Sequence, residues 1–192
     1  PGYLSAYHNR ALAKFQLGNL EGAGLDFTRA IELSPSSAPM SAPPLAGRGR
    51  VRLAQSRPFA SVRDLTRAIS LDGKDAASYR HRALAHLAND NTGEAIEDYN
   101  RAIAADPSKA DLYLARGRAY LMAKNMQAGL NDLSKALEID PKLAPALAFR
   151  GLAKARLSQY DEALADFSKS VESDPRFVPA YAHRAWTYRQ MD

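Results

Sequence analysis

The sequence predicts an all-α protein made of repeated antiparallel helix pairs, and three observations support this fold class. Alanine and leucine dominate the composition, which favours helices whose backbones pack closely. Pro107, Pro141 and Pro175 lie 34 residues apart, and Gly73 lies 34 residues before Pro107. Within each period, two separate patterns of large and small apolar residues recur at helical spacing.

The first helix of each period is marked by a column of large apolar residues and a column of small residues four positions later. Residues four apart lie on one face of a helix, so the two columns form one packing face. The large column is Tyr7, Leu45, Tyr79, Tyr113, Leu147 and Tyr181, and the small column is Ala11, Gly49, Ala83, Gly117, Gly151 and Ala185. The second repeat is the weakest, because Gly47 and Gly49 each cost about 1 kcal/mol relative to alanine inside a helix.

The second helix of each period has three such columns, ordered small, large and small. Small residues that face large ones let two antiparallel helices approach closely and interlock. The columns are Ala23, Ser61, Ala95, Gly129 and Ala163; then Phe27, Leu65, Tyr99, Leu133 and Phe167; then Ala30, Ala68, Ala102, Ala136 and Ser170.

These columns and the terminal prolines resemble the tetratricopeptide repeat family over nearly the whole chain. The resemblance implies a right-handed superhelical solenoid in which the first helix of each pair lines the concave side. The sequence departs from the family pattern in one first-helix column, where an aromatic residue is usual. That column reads Lys14, Arg52, His86, Tyr120, Lys154 and Tyr188.

We expect one solenoid domain over residues 1–192, with five repeats and one extra helix. The repeats span about 4–37, 42–75, 76–109, 110–143 and 144–177, and the lone helix spans 178–190. The expected helices are 4–17, 20–33, 43–55, 59–71, 76–89, 92–105, 110–123, 126–139, 144–157 and 160–173, followed by the lone helix. Pro35 precedes Gly73 by 38 residues, so four residues are inserted within the linker 36–44. Since the chain begins without methionine, we interpret it as an excised fragment.

Two polar columns recur in the repeats and border the packed faces. The arginine column is Arg10, Arg48, Arg82, Arg116, Arg150 and Arg184, and the aspartate column is Asp26, Asp64, Asp98, Asp132 and Asp166. We predict repeated Arg–Asp ion pairs that hold the register of stacked helices, either within a hairpin or between one second helix and the next first helix. An alternative is that the arginine column binds an anionic ligand.

In the family that this sequence resembles, ligands bind on the concave surface. The positions that contact ligands there correspond in this sequence mainly to apolar residues and arginines. These candidates are His8, Leu12, Phe15, Arg50, Leu53, Arg80, Leu84, Arg118, Leu121, Met122, Leu152, Arg156, Trp186 and Arg189. Arginine holds carboxylates in a bidentate manner and leucine supplies buried area, so the groove suits a peptide with acidic groups and apolar anchors. Several of these leucines instead fit packing against neighbouring first helices.

The sequence offers no catalytic motif, no metal site and no cofactor site. Gly-rich phosphate loops, nucleophile elbows and histidines paired at metal spacing are missing, and cysteine does not occur. We therefore predict a bacterial-type protein-interaction scaffold without turnover. Two alternatives stay open: self-assembly through the last helix, whose edge around Ala185 and Tyr188 lacks a partner helix, and RNA binding, favoured by a pI of about 9.5 and the arginines near Arg50. No apolar run is long enough for a membrane span.

Overall fold

The structure, a computed structural model, describes residues 2–35 and 38–191, and this part of the chain is all-α. Eleven α-helices are described: α1 Gly2–Gln16, α2 Leu20–Glu32, α3 Ala42–Ala54, α4 Pro58–Leu71, α5 Ala76–Leu87, α6 Thr92–Ala105, α7 Ala110–Met122, α8 Met126–Ile139, α9 Ala144–Arg156, α10 Tyr160–Ser173 and α11 Val178–Met191. Every helix boundary lies within two residues of its predicted position. The predicted all-α hairpin architecture is confirmed.

Two compact units divide the chain, residues 1–105 and residues 106–192. The first unit contains the hairpins α1–α2, α3–α4 and α5–α6, and the second contains α7–α8, α9–α10 and the last helix α11. In the first unit α2 packs on α3 and α4 packs on α5, and in the second unit α8 packs on α9 and α10 packs on α11. Within each unit, successive first helices also contact one another. The single domain that we predict over 1–192 stays a prediction.

The inserted linker is only partly described, since Ser36 and Ser37 of the predicted segment 36–44 lie outside the described residues. A 3-10 turn spans Pro39–Ser41 and leads directly into α3. Ser41 is buried, and its Oγ donates a hydrogen bond of 2.7 Å to the Pro35 carbonyl. This bond ties the residue before α3 to the residue that precedes the linker.

The small residues of the first helices are required by close contact with large side chains. A Cβ on Gly49 would lie 2.7 Å from Leu65 Cγ, and a Cβ on Gly151 would lie 2.7 Å from a carbon of the Phe167 ring. Gly47, where helix propensity alone predicts a loss of stability, faces Phe27 of the preceding hairpin, and two carbons of that ring would lie 2.4 Å from an added Cβ. Helix α3 therefore depends on glycine at both positions, because a Cβ would collide with the Phe27 ring at Gly47 and with the Leu65 side chain at Gly49.

Each hairpin turns through one residue in the left-handed backbone conformation. This residue is Gly18 in the first hairpin, with φ of 77°. The matching residues are Ser56, Asp90, Lys124 and Ser158, with φ between 57° and 62°. The next residue donates its N–H to a carbonyl five positions earlier, as Asn19 does to Lys14 at 2.9 Å. This bond satisfies one of the carbonyl groups at the C-terminus of the first helix that have no partner within the helix. Four of the five are not glycine, so the sequence does not reveal this column.

Candidate functional site

Every complete hairpin holds an arginine of its first helix against an aspartate of its second helix, 16 residues later. In each pair, Nε and Nη2 donate to the two carboxylate oxygens at 2.6–2.9 Å, a bidentate geometry. The aspartates are 3–6% exposed. The structure therefore places all five pairs within hairpins, a choice that the sequence leaves open. Arg184 of the last helix lies over the Tyr181 ring, 5.5 Å from its centroid.

A second cation reaches three of these carboxylates from the column that departs from the family pattern. Lys14 Nζ lies 2.8 Å from Asp26 Oδ2 and Arg52 Nη1 lies 2.7 Å from Asp64 Oδ2. Lys154 Nζ lies 3.0 Å from Asp166 Oδ2, and His86 Nε2 lies 3.8 Å from Asp98 Oδ2. This explains why basic residues stand in a column where the family usually has an aromatic residue. A basic residue one helical turn after the arginine shares the buried aspartate of that arginine. Sequence reasoning missed this role, although the four-residue spacing on one helix face was a signal.

Neighbouring hairpins of the first unit are tied together by the same arginines. Arg48 Nη1 donates to Thr28 Oγ1 of α2 at 3.2 Å, and Arg82 Nη1 donates to Thr66 Oγ1 of α4 at 3.1 Å. One guanidinium thus bonds an aspartate of its own hairpin and a threonine of the hairpin before it. We propose that these bonds hold the stacking register.

The hydrogen bond from Arg10, assisted by Lys14, lowers the pKa of Asp26 from its ordinary value of 3.8 to about 2. A lowered carboxyl pKa means that the folded state favours the charged form. The stability contributed by Asp26 should be complete above about pH 4, and it should be lost as the pH falls from 4 towards 2. A carboxyl NMR titration measures this pKa, and Arg10→Gln should raise it. Titration of Asp26 near its ordinary value in the folded wild type would contradict the pairing.

The first helices of each unit form a surface that we call the first-helix face: α1, α3 and α5 in the first unit, and α7, α9 and α11 in the second. On it, three arginines lie over aromatic rings of adjacent first helices. Arg50 lies 5.1 Å from the centroid of Phe15, Arg118 lies 4.7 Å from that of Phe149, and Arg156 lies 5.1 Å from that of Trp186. A guanidinium over a ring is held by cation–π attraction while its in-plane N–H groups still point outward.

A depression of about 200 Å³ opens on the first-helix face of the first unit. Its lining residues are His8, Leu12, Pro43, Ala46, Gly47, Arg50, Asp75, Ala77, Ser78 and His81. The depression is smaller than the usual 300–1,000 Å³ of a small-molecule pocket, so its size suits one side chain of a larger ligand.

Two uncharged histidines lie in this depression beside Arg50. Burial lowers the pKa of His81 to about 4, and His81 Nδ1 lies 2.6 Å from the Ala77 carbonyl. Nδ1 therefore donates, and Nε2 is left as an acceptor. Burial also lowers the pKa of His8, whose buried Nδ1 has no hydrogen-bond partner among the described residues. The carboxylate of Asp75 in the lining is already engaged, since it accepts hydrogen bonds from Ala77 N, Ser78 N and Ser78 Oγ. The depression thus offers a cationic donor and neutral acceptors, a combination that matches the polar groups of a peptide.

The other predicted groove residues divide between surface and core. Met122 is 57% exposed and Leu84 is 38% exposed, whereas Leu121 packs inside its hairpin, since a Cβ on Gly129 would lie 2.6 Å from Leu121 Cδ2. Leu12 and Phe15 also pack partly against the core around Phe27. Leu53, Arg80 and Leu152 are half-buried, and Arg189 is exposed.

Sequence reasoning missed two residues of the first-helix face, His81 and Phe149. For Phe149, the available signal was an aromatic residue directly before Arg150.

The described residues contain no cluster of three or more His, Asp or Glu side chains able to hold a metal ion. None of the described helices combines the length and apolar character of a membrane span.

Comparison with solved structures reveals the same fold in several repeat proteins. A tetratricopeptide repeat protein from Parabacteroides merdae ATCC 43184 matches with a TM-score of 0.86 and 22% identity, covering 100% of this chain and 74% of that one. MamA matches with a TM-score of 0.78 and 23% identity, covering 86% and 95%. YrrB, described as a TPR protein with an unusual peptide-binding site, matches with a TM-score of 0.78 and 18% identity, covering 93% and 90%. No curated protein sequence matches significantly.

Two sequence models of the tetratricopeptide repeat match the chain. One matches residues 47–110 and 82–144, and the other matches residues 4–37 and 144–177. Together they cover most of the sequence. The chain belongs to the tetratricopeptide repeat family.

Proposed function

We propose that the chain is a protein-interaction scaffold that binds a peptide or protein segment on its first-helix face, without turnover. The observation that supports this most directly is the set of arginines held over rings of adjacent first helices, Arg50 on Phe15, Arg118 on Phe149 and Arg156 on Trp186. Because these guanidiniums are already positioned, a ligand carboxylate binds them with little further loss of side-chain entropy. The bound segment therefore carries acidic groups.

Apolar anchors complete the proposed recognition. Leu84 and Met122 are exposed on first helices, and the depression beside Arg50 includes Leu12, Pro43, Ala46 and Ala77 in its lining. A segment that buries apolar side chains here and pairs its acids with arginine combines affinity with orientation. The peptide-binding site named for YrrB, a protein of the same fold, supports the proposal by analogy.

The proposal predicts that charge reversal on the first-helix face removes the partners. The variant Arg50→Glu with Arg118→Glu should reduce partner recovery in a quantitative pull-down by about tenfold or more, because acidic ligands then meet like charges. Cross-linking of recovered partners should map to the first-helix face in the wild type.

The matched control is Lys169→Glu with Arg176→Glu, which changes the same net charge at exposed positions of α10 and the following turn. It should leave the partner list unchanged. If the Arg50→Glu, Arg118→Glu variant and this control recover the same partners, the proposal that partners bind on the first-helix face is wrong.

A second candidate function is self-assembly, and exposed side chains of the last helix favour it. Val178 is 71% exposed, Tyr188 is 55% exposed and Met191 is 47% exposed. An edge of this kind buries apolar area when another copy packs on it. Sedimentation velocity over a concentration series distinguishes the candidates: the scaffold function is compatible with a constant monomer, and the assembly function is not.

A further inference from the structure

The net positive charge of the chain is concentrated in one hairpin. Residues 42–71, which span α3 and α4, contain six arginines and one acidic residue, Asp64, so they hold a net charge of +5. The formal charge of the whole chain is also +5, so the rest of the chain is neutral overall. All six basic residues are arginine, the side chain suited to bidentate binding of anions.

Internal pairing neutralises only part of this charge. The buried Asp64 is shared by Arg48 and Arg52, whereas the exposed Arg57 and Arg63 have no salt-bridge partner among the described residues. Burial, together with the neighbouring Arg48, Arg57 and Arg63, lowers the pKa of Arg52. The guanidiniums therefore form a cluster in which positive charge exceeds negative charge.

A depression of about 220 Å³ lies within this cluster, between α2, α3 and the turn before α4. Its lining residues are Glu21, Gly24, Leu25, Thr28, Arg48, Val51, Arg52, Gln55 and Arg57. Leu25 is 67% exposed beside it, and Phe59, two residues after Arg57, is 79% exposed. None of the lining residues belongs to the depression on the first-helix face. The two surfaces are therefore separate.

The other repeats show that the fold does not need these side chains. The column of Arg57 reads Asn19, Asn91, Asn125 and Gln159 elsewhere, and the column of Phe59 reads Glu21, Gly93, Gln127 and Asp161. Asn19 and Asn125 cap their helices by accepting from Gly22 N and Ala128 N, whereas α4 has no side-chain cap. Arg57 therefore stands where other hairpins have a capping asparagine. The backbone N–H groups at the start of α4 have no side-chain acceptor, which favours an anion there.

We propose that this arginine surface of the second hairpin, formed by Arg52, Arg57 and Arg63, binds a short acidic segment of a partner protein. The carboxylates of that segment pair with the guanidiniums, and an apolar side chain enters the depression against Leu25 and Val51. Charge complementarity favours this occupant. A nucleic acid that contacts 6–10 phosphates needs a longer positive surface than one hairpin whose neighbours are neutral overall. A short acidic segment fits within one helix length, about 20 Å.

Fluorescence anisotropy with the full chain tests the proposal. The probes are a short labelled peptide that repeats Glu-Glu-Leu, its Gln-Gln-Leu counterpart and a labelled single-stranded RNA of equal length. The variant is Arg57→Asn with Arg63→Asn, and the charge-matched control is Lys169→Asn with Arg176→Asn. Arg57→Asn restores the cap found in other hairpins, so the thermal midpoint of this variant should not fall.

We expect the wild type and the control to bind the glutamate peptide, and the variant to bind it at least about tenfold more weakly, because each lost charge-assisted hydrogen bond contributes about that factor. The same comparison made in an Arg50→Glu background should show the same relative loss, because Arg50 lines the depression on the first-helix face and not this one. The proposal is overturned by equal binding of the glutamine peptide, by tighter binding of the RNA, by absence of binding to the glutamate peptide, or by equal affinity of variant and control.

Discussion

Replacing Gly47 by alanine is expected to destabilise the first unit by about 2 kcal/mol, although alanine is the better helix former. Intrinsic propensity alone predicts a gain of about 1 kcal/mol. The added Cβ, however, would lie 2.4 Å from two carbons of the Phe27 ring, and Phe27 is only 1% exposed. Overpacking of a core typically costs about 1–3 kcal/mol, and here a buried ring must shift to make room for the added methyl group. Urea unfolding followed by circular dichroism measures the change.

Gly24→Ala is the matched control within the same unit, because its Cβ would lie 3.6 Å from Val51, an ordinary contact. This control should raise stability by about 0.5–1 kcal/mol. Phe27→Leu combined with Gly47→Ala should recover part of the loss, so a double-mutant cycle should show coupling between the two residues. If Gly47→Ala and Gly24→Ala change stability alike, the close contact between α2 and α3 is wrong.

Replacing Asp64 by asparagine is expected to cost about 3 kcal/mol. The carboxylate accepts hydrogen bonds from Arg48 at 2.8 and 2.9 Å and forms a salt bridge with Arg52 at 2.7 Å. The side chains of Arg48 and Arg52 are only 17% and 23% exposed, so the substitution leaves two cations poorly solvated and close together. Breaking a buried ion pair costs about 3–5 kcal/mol, and partial solvent access places this site at the lower end. Chemical unfolding of the full chain checks the value.

Two further variants distinguish the role of the second cation. Asp132→Asn should cost less than Asp64→Asn, because Tyr120 replaces the second basic residue in that hairpin. Arg52→Gln should be nearly neutral, since Arg48 keeps its bidentate bonds and the crowding of positive charge is relieved. Equal stability of Asp64→Asn and wild type would show that these pairs contribute nothing to holding the hairpin.

The sequence by itself determined the helices, because burial on a helix is a periodic and local pattern. The columns around Ala95, Tyr99 and Ala102 predict a helix over 92–105, and α6 spans Thr92–Ala105. The same periodicity predicts a first-type helix over 178–190, and α11 spans Val178–Met191. Helix ends could be placed because hydrophobic columns stop where turns begin, and the prolines repeat at those turns.

Only the tertiary structure decided which side chains meet. A column shows which face of a helix a residue occupies but not which neighbouring helix supplies its partner, so Arg48 was equally compatible with Asp64 and with an aspartate of another hairpin. The antiparallel crossing within a hairpin brings residues 16 apart into contact, and it brings Arg52 onto the same carboxylate. Likewise, stacking of first helices places Arg118 over Phe149. Gly47 looked costly as an isolated helix residue and is required once Phe27 packs against it, because packing depends on distances between helices that a one-dimensional pattern does not contain.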